Sequence, residues 1–375
     1  MITGFRILFA WPGVTGFTGP CWRALQRDFA MRVKCVAAVD DPADSSCAYA
    51  MGSCFAGIDI KIVPKGIPIG EADWDALRDE IRAFAPDILF ITGWSVPVNR
   101  FLATDAAFQA IPKVFQMDML WTFRPRKIAA RFILKRYLRH FDAAFVPGAC
   151  AARYARWLGF GGKRPLYTGL LATDDAFFDD AATTSDSPSF LYVGRYSPEK
   201  GVDLLMEAYR LYAESVEAPW PLDCAGAGPL ADALFPRDEV AVGKGRVRDL
   251  GFQQPAALPP LYAAHAAFIL PSRSESWGVA LAEAAARGLP LICTDACGGR
   301  AELVRTSGPD ANGFVARAGS IRSLAEAMIR MHNLTPKGRR CFAAASRRLA
   351  APYSASLWAA RVSRIVREVT ERGTR

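Results

Sequence analysis

Two carboxylates, Glu275 and Glu283, stand eight residues apart in the stretch 271–290, PSRSESWGVALAEAAARGLP. Between them an Ala-rich helix begins near Trp277, preceded by a polar loop and by the short apolar strand candidate 267–270. Gly278 lies at the helix start, where it lets a ligand approach the backbone closely. The unpaired amides of Gly278 and Val279, at the positive end of the helix dipole, suit a phosphate. Eight residues at helical rise span ~12 Å. That is about the reach of a sugar nucleotide, from sugar ring through diphosphate to ribose. The spacing predicts a diphosphate at the helix start and hydroxyls held by a carboxylate at each end. Glu275 has a second explanation, since an acidic residue near a helix N-terminus contributes ~0.3–1 kcal/mol by itself. Ser276 is either an N-cap or a further polar contact, and Trp277 either packs or faces the ligand.

A second cluster follows the strand candidate 190–193 in GRYSPEKG. Gly194 opens the loop, and Arg195 and Lys200 put two cations beside a helix start, which suits a leaving diphosphate. Gly298 and Gly299 precede another helix and permit close backbone approach to sugar or phosphate; a simple tight turn is the alternative. Gly226 and Gly228 read as a structural turn. Gly13, Gly16 and Gly19 follow the first strand as G-x-x-G-x-x-G, which is not the dinucleotide spacing G-x-G-x-x-G. They predict a flexible loop near donor phosphate and acceptor, with Gly13 and Gly16 the contacts.

The elements that must carry these residues alternate between strand and helix, which predicts α/β architecture with parallel sheets. Strand candidates run over 5–11, 33–39, 58–63, 87–92, 113–116 and 143–146, then 190–193, 222–225, 246–250, 267–270 and 291–294. Residues 71–84, 321–332 and 336–349 read as helices. The acidic, then Ser/Thr/Pro-rich segment 174–189 reads as a linker. Domains are expected at 1–183 and 184–353. Residues 354–372 form an amphipathic helix with Leu357, Val362, Ile365 and Val366 apolar.

Glu275-x7-Glu283 resembles the paired-glutamate motif of retaining GT-B glycosyltransferases of family 4, the glycosyl transferases group 1. The stretches FLYVGRYSPEKGVDLLMEAY (190–209), DCAGAGPL (223–230), VRDLGF (247–252) and CGGRAELV (297–304) resemble further motifs of that family, in its order. The first half resembles it only weakly. The resemblance implies a GT-B fold, two Rossmann-like domains facing a cleft, with the C-terminal helix packing back on the first domain. It implies transfer of a sugar, with retention, from a nucleotide diphosphate sugar to a glycan or lipid-linked acceptor hydroxyl, in polysaccharide, glycolipid or glycan biosynthesis. Glu275 would then contact donor-sugar hydroxyls and Glu283 the ribose, while Arg195 and Lys200 neutralise the pyrophosphate. No metal or other cofactor is implied, the co-substrate being a UDP- or GDP-sugar. Many members place a histidine after the fifth strand; here the sequence reads Phe115-Gln116-Met117-Asp118, and Asp118 is the candidate replacement. His265 reads as structural. Another GT-B enzyme, such as an epimerase or phosphorylase, and a non-catalytic nucleotide-sugar binder are the rival readings.

At 375 residues with 51% hydrophobic composition, the chain has material for two cores. No signal peptide or spanning helix is expected from 1–13 or elsewhere. The nine cysteines are scattered, and Cys293 and Cys297 lack companions for a zinc site. A reducing cytoplasm fits them. The net charge of +9 is unevenly placed. Segment 124–139 holds seven basic residues and no acid, and 337–375 holds ten against two. Lys127, Arg131, Lys135 and Arg139 form a helical stripe. Ile128 and Phe132 are expected on its side, with Ala130, Ile133, Leu134 and Tyr137 inward. A solvated face is one reading. An anionic membrane surface or lipid-phosphate acceptor is the favoured one, with peripheral attachment to the inner face of a membrane. No nucleic-acid motif accompanies the charge.

Overall fold

Strands that are apolar on both faces must be covered on both faces, and the first half of the chain supplies them in parallel. A computed structural model describes residues 4–13, 16–39, 55–65, 70–122, 124–179, 188–235 and 239–373. Val14 and Thr15 of the glycine loop and residues 180–187 of the linker, with the expected boundary at 183/184, lie outside them. The chain divides into two compact units, Met1–Ala172 with Ala355–Arg375, and Thr173–Ser354.

The first unit holds strands β1 (Arg6–Trp11), β2 (Arg32–Val39), β3 (Asp59–Pro64), β4 (Ile88–Thr92), β5 (Lys113–Gln116), β6 (Ala143–Val146) and β7 (Leu166–Thr168). They form one parallel sheet in the order β3-β2-β1-β4-β5-β6-β7. Ile7 pairs with Val33 on one side and Ile88 on the other, and Ile7–Ala10 are fully buried. The terminal helix Ala355–Gly373 lies against the helix Thr18–Phe29. Trp358, Ala359, Val362, Ile365, Val366 and Val369 are among its buried residues, and the Trp358 indole N–H donates to Leu170 O at 2.7 Å. Leu357, read with the apolar stripe, is instead 49% exposed, because Trp358 one residue on takes the inward direction.

The second unit holds β8 (Phe190–Val193), β9 (Leu222–Ala225), β10 (Glu239–Val242), β11 (Gly245–Asp249), β12 (Ala267–Leu270), β13 (Leu291–Thr294) and β14 (Gly313–Ala316). Their order is β10-β11-β9-β8-β12-β13-β14, parallel except for the β10–β11 hairpin. Chain order reverses between β8 and β12, and ligands of such sheets bind outside the strand C-termini at that reversal. Each unit is thus Rossmann-like, and the molecule has the GT-B fold. The sequence reading omitted β7, β10 and β14.

Candidate functional site

The loops leaving β8 and β12 bring the predicted residues together at the reversal point of the second sheet. After β8 the chain turns at Gly194, whose N–H donates to Ala225 O at 3.0 Å. A side chain there would press on the Tyr192 hydroxyl at 2.9 Å, and that hydroxyl donates to Arg195 O at 2.9 Å. The Arg195 guanidinium is exposed and makes no hydrogen bond or ion pair among the described residues. Lys200 is half-buried, and its ammonium is paired with the Glu275 carboxylate, which is nine-tenths buried. The Ser197 hydroxyl donates to Glu199 at 2.6 Å. That bond, then its own amide, and the Arg195 and Lys200 charges hold Glu199 below the usual carboxylate range.

Arg273 fixes the distance between the two loops. Its guanidinium grips Asp203 at 2.7 and 2.6 Å and donates to Pro198 O at 2.6 Å, while its backbone N–H donates to Glu199 O at 2.9 Å. Gly201, at φ +71°, lets the loops close: a Cβ there would meet Pro271 O at 2.4 Å. The sequence reading missed this clamp, because its partners are 70 residues apart.

Glu275 is held from the other side by the turn after β13. Gly298 donates to Glu275 O and Gly299 to Trp277 O, both at 2.9 Å. The two glycines were expected to permit close backbone approach to sugar or phosphate or to form a tight turn; their amides pin the 275–277 loop. A Cβ on Gly299 would meet Trp277 O at 2.4 Å. Trp277 is buried against Tyr353, ring centroids 5.1 Å apart, so packing is its role.

The Ala-rich helix begins at Val279, two residues later than expected, with Gly278 as its N-cap at φ +93°. Ser276, half-buried, is not the cap, and no side chain caps this helix. Leu281 and Ala282 bond back to Gly278 O. The Gly278, Val279 and Ala280 amides have no partner among the described residues, which leaves three donors at the positive helix end, the two expected ones among them. Further along that helix, Glu283 accepts from the Tyr262 hydroxyl at 3.0 Å. Burial pushes its carboxyl up to about 7, against the Tyr262 bond and aided by Asp174. Some of the Glu283 residue still meets solvent. Tyr262 was also missed, although it lies on the preceding helix, Leu258–Ala263.

His265 sits below the β9 end with Nδ1 at 2.8 Å from Leu261 O and Nε2 at 3.0 Å from Asp223, which also binds Arg248. It is buried and structural. Gly226 would meet Gly194 O at 2.0 Å with any side chain, a close approach of two strand-end turns.

Gly13, Gly16 and Asp118 belong to the first unit. Gly13 has open space around it, and Asp118 is exposed after buried Met117 at the β5 end. Gln116 is fully buried there, its carbonyl accepting from the Thr92 hydroxyl at 3.1 Å. Among the described residues no three His, Cys, Asp or Glu side chains converge.

Residues 174–348 match the family of glycosyl transferases group 1. The chain is 34% identical over 106 residues to the O-antigen chain mannosyltransferase B of Escherichia coli, 28% of each chain. It is 24% identical over 277 residues to the sulfoquinovosyl transferase SQD2 of Arabidopsis thaliana, 68% of this chain and 51% of that one. The chain therefore spans about a quarter and half of these curated relatives. Two solved structures share its fold over nearly the whole length. HepE of Anabaena, in complex with UDP and glucose, has a TM-score of 0.70 at 15% identity, covering 97% of this chain and 100% of that one. A glycosyltransferase of Rickettsia africae has a TM-score of 0.72 at 12% identity, covering 98% of both.

Proposed function

We propose that this protein transfers a glycosyl group, with retention of configuration, from a UDP- or GDP-sugar to a hydroxyl of a glycan or lipid-linked acceptor. The observation that carries the reading is the pairing of half-buried Lys200 with the buried Glu275 carboxylate, on the loop that leads into the unpartnered Val279 and Ala280 amides, with Glu283 farther along the same helix. Glu275 accepts from donor-sugar hydroxyls and Glu283 from the ribose diol. Arg195, Lys200 and the two amides hold the diphosphate; donors fixed in advance on developing charge give the largest rate contribution. Gly194, Ser276, Gly278, Gly298 and Gly299 shape the surface that the donor lies on.

In the transfer the bond from the anomeric carbon to the diphosphate oxygen breaks and a bond to the acceptor oxygen forms. The acceptor proton goes to the departing diphosphate on the same face. The charge on that leaving group is what Arg195 and Lys200 offset. Gly13 and Gly16 are assigned to donor phosphate and Asp118 to a sugar or acceptor hydroxyl; these three rest on the resemblance and the exposure of Asp118.

The test is a thermal-shift panel of UDP-, GDP-, ADP- and dTDP-sugars on the wild type and Glu283→Ala. A shift with one base that the variant loses supports the donor site. Product NMR with the bound donor and candidate acceptors then reads the anomer. Inverted product, epimerised donor without acceptor, or a bound donor that never turns over would each overturn the reading.

A further inference from the structure

In the first unit, the helix Pro125–Ile133 and the short helix Lys135–Leu138 bury a single narrow row, Ala130, Leu134 and Leu138, at steps of four. Ile133 was expected inward with them but is 74% exposed: the first helix ends there, and Leu134, at φ −87° and ψ 0°, takes the core position alone. Phe132 beside it is 70% exposed. The same segment carries Arg124, Arg126, Arg131, Lys135, Arg136 and Arg139, all exposed and none paired with a carboxylate among the described residues, and Arg131, Lys135 and Arg139 line one pocket with Phe132.

A pocket of ≈ 590 Å³ opens beside Phe132, lined by Arg131, Lys135, Arg139, Leu158 and Arg164 and by no acidic residue. Two of its cations are aimed by backbone carbonyls, and the charge of Asp142, outside the lining, reaches Arg164. Arg131 donates to Trp157 O at 2.6 Å, and Arg164 to Leu138 O at 2.6 Å and Gly159 O at 3.1 Å. Lys135 and Arg139 make no side-chain hydrogen bond among the described residues.

We propose that this patch docks on an anionic lipid surface, with Phe132 and Ile133 entering the acyl boundary and the pocket receiving a headgroup phosphate. Adjacent large apolar side chains ringed by cations match the two faces of a charged bilayer interface. A second copy of the chain is disfavoured, since a self-complementary contact would bring two acid-free basic patches together. No helix among the described residues is long and apolar enough to cross a membrane, so the contact lies on the surface. The inference needs no donor and stands apart from the transfer reading.

Flotation of the full chain with phosphatidylcholine vesicles, alone or mixed with phosphatidylglycerol, tests it. Binding is expected only to the mixed vesicles, and to weaken with salt. The double variant Phe132→Ser/Ile133→Ser and the double variant Lys135→Gln/Arg139→Gln should each bind about tenfold less, with melting temperature unchanged because all four side chains are exposed. Equal binding to neutral vesicles, wild-type binding by both variants, full competition by free inorganic phosphate, or a dimer in light scattering that Phe132→Ser/Ile133→Ser abolishes would each overturn it.

Discussion

Under the proposed function, Glu283 couples stability to ligand recognition through one side chain. Burial raises its carboxyl to about 7, above the ordinary value of 4.5, so the folded protein holds a proton that the unfolded chain releases. Its contribution to stability is therefore most favourable below about pH 4.5. It is lost as pH rises toward 7 and is flat above that. Glu283→Gln, which cannot ionise, should melt higher than wild type at pH 8 and gain little at pH 5; each kcal/mol corresponds to ~2–4 °C for a domain of this size. An equal gain at both pH values would refute the burial argument. Under the proposed function donor binding runs the opposite way, since ribose hydroxyls would donate to the ionised carboxylate. Nucleotide-sugar affinity of the wild type should rise between pH 6 and 8, and titration calorimetry across that range reads it. Tyr262→Phe removes the hydroxyl that aims Glu283. It should weaken donor binding by about 3- to 10-fold, the worth of one hydrogen bond, and push the carboxyl's titration higher still.

At the scale of elements, the site depends on two loops kept at a fixed separation. Arg273 joins them through Asp203 and Pro198 O, yet touches neither the Glu275 carboxylate nor the free helix amides. Arg273→Ala should lower kcat/KM by 10-fold or more through lost positioning of Lys200. If Arg273→Ala transfers sugar like the wild type, the clamp does not position Lys200. Gly278 is the stricter element. Its φ of +93° and the nearness of Leu270 Cδ2, 2.9 Å from any Cβ, mean that Gly278→Ala strains the backbone and crowds the core together. A loss of ~1–3 kcal/mol is expected in denaturant unfolding. The paired glutamates, Lys200 and Gly278 were legible in the sequence because residue type and short spacing carry them. Arg273–Asp203 and Tyr262–Glu283 were not, because each pairing exists only once distant segments are folded together. Strands were legible where both faces are buried, as in Phe190–Val193. The polar edge strand Glu239–Val242 and the three-residue Leu166–Thr168 lack that signal. Ile133 was misplaced because periodicity assumes a helix that continues, and this one stops at that residue.

The whole molecule is two units whose boundary crosses the sequence twice, at Ala172–Thr173 and again at Ser354–Ala355. The last helix in the chain therefore completes the first unit. Trp358 is its largest anchor, 3% exposed, with its indole bonded to Leu170 O and its ring 6.0 Å from Phe9 of β1. Trp358→Ala removes that packing and leaves a buried carbonyl unpaired, a loss of ~3–5 kcal/mol. The loss falls on the first unit although the mutation lies near the C-terminus. The residues proposed to hold the donor, Lys200, Glu275 and Glu283, all lie in the second unit, so under that proposal a bound nucleotide sugar should stabilise that unit by mass action, about 2.7 kcal/mol at a hundred times Kd. Scanning calorimetry of Trp358→Ala with and without donor should show two transitions moving independently: one lowered by the mutation, the other raised by ligand. A single transition that the mutation lowers and the ligand fully restores would mean that the units unfold as one.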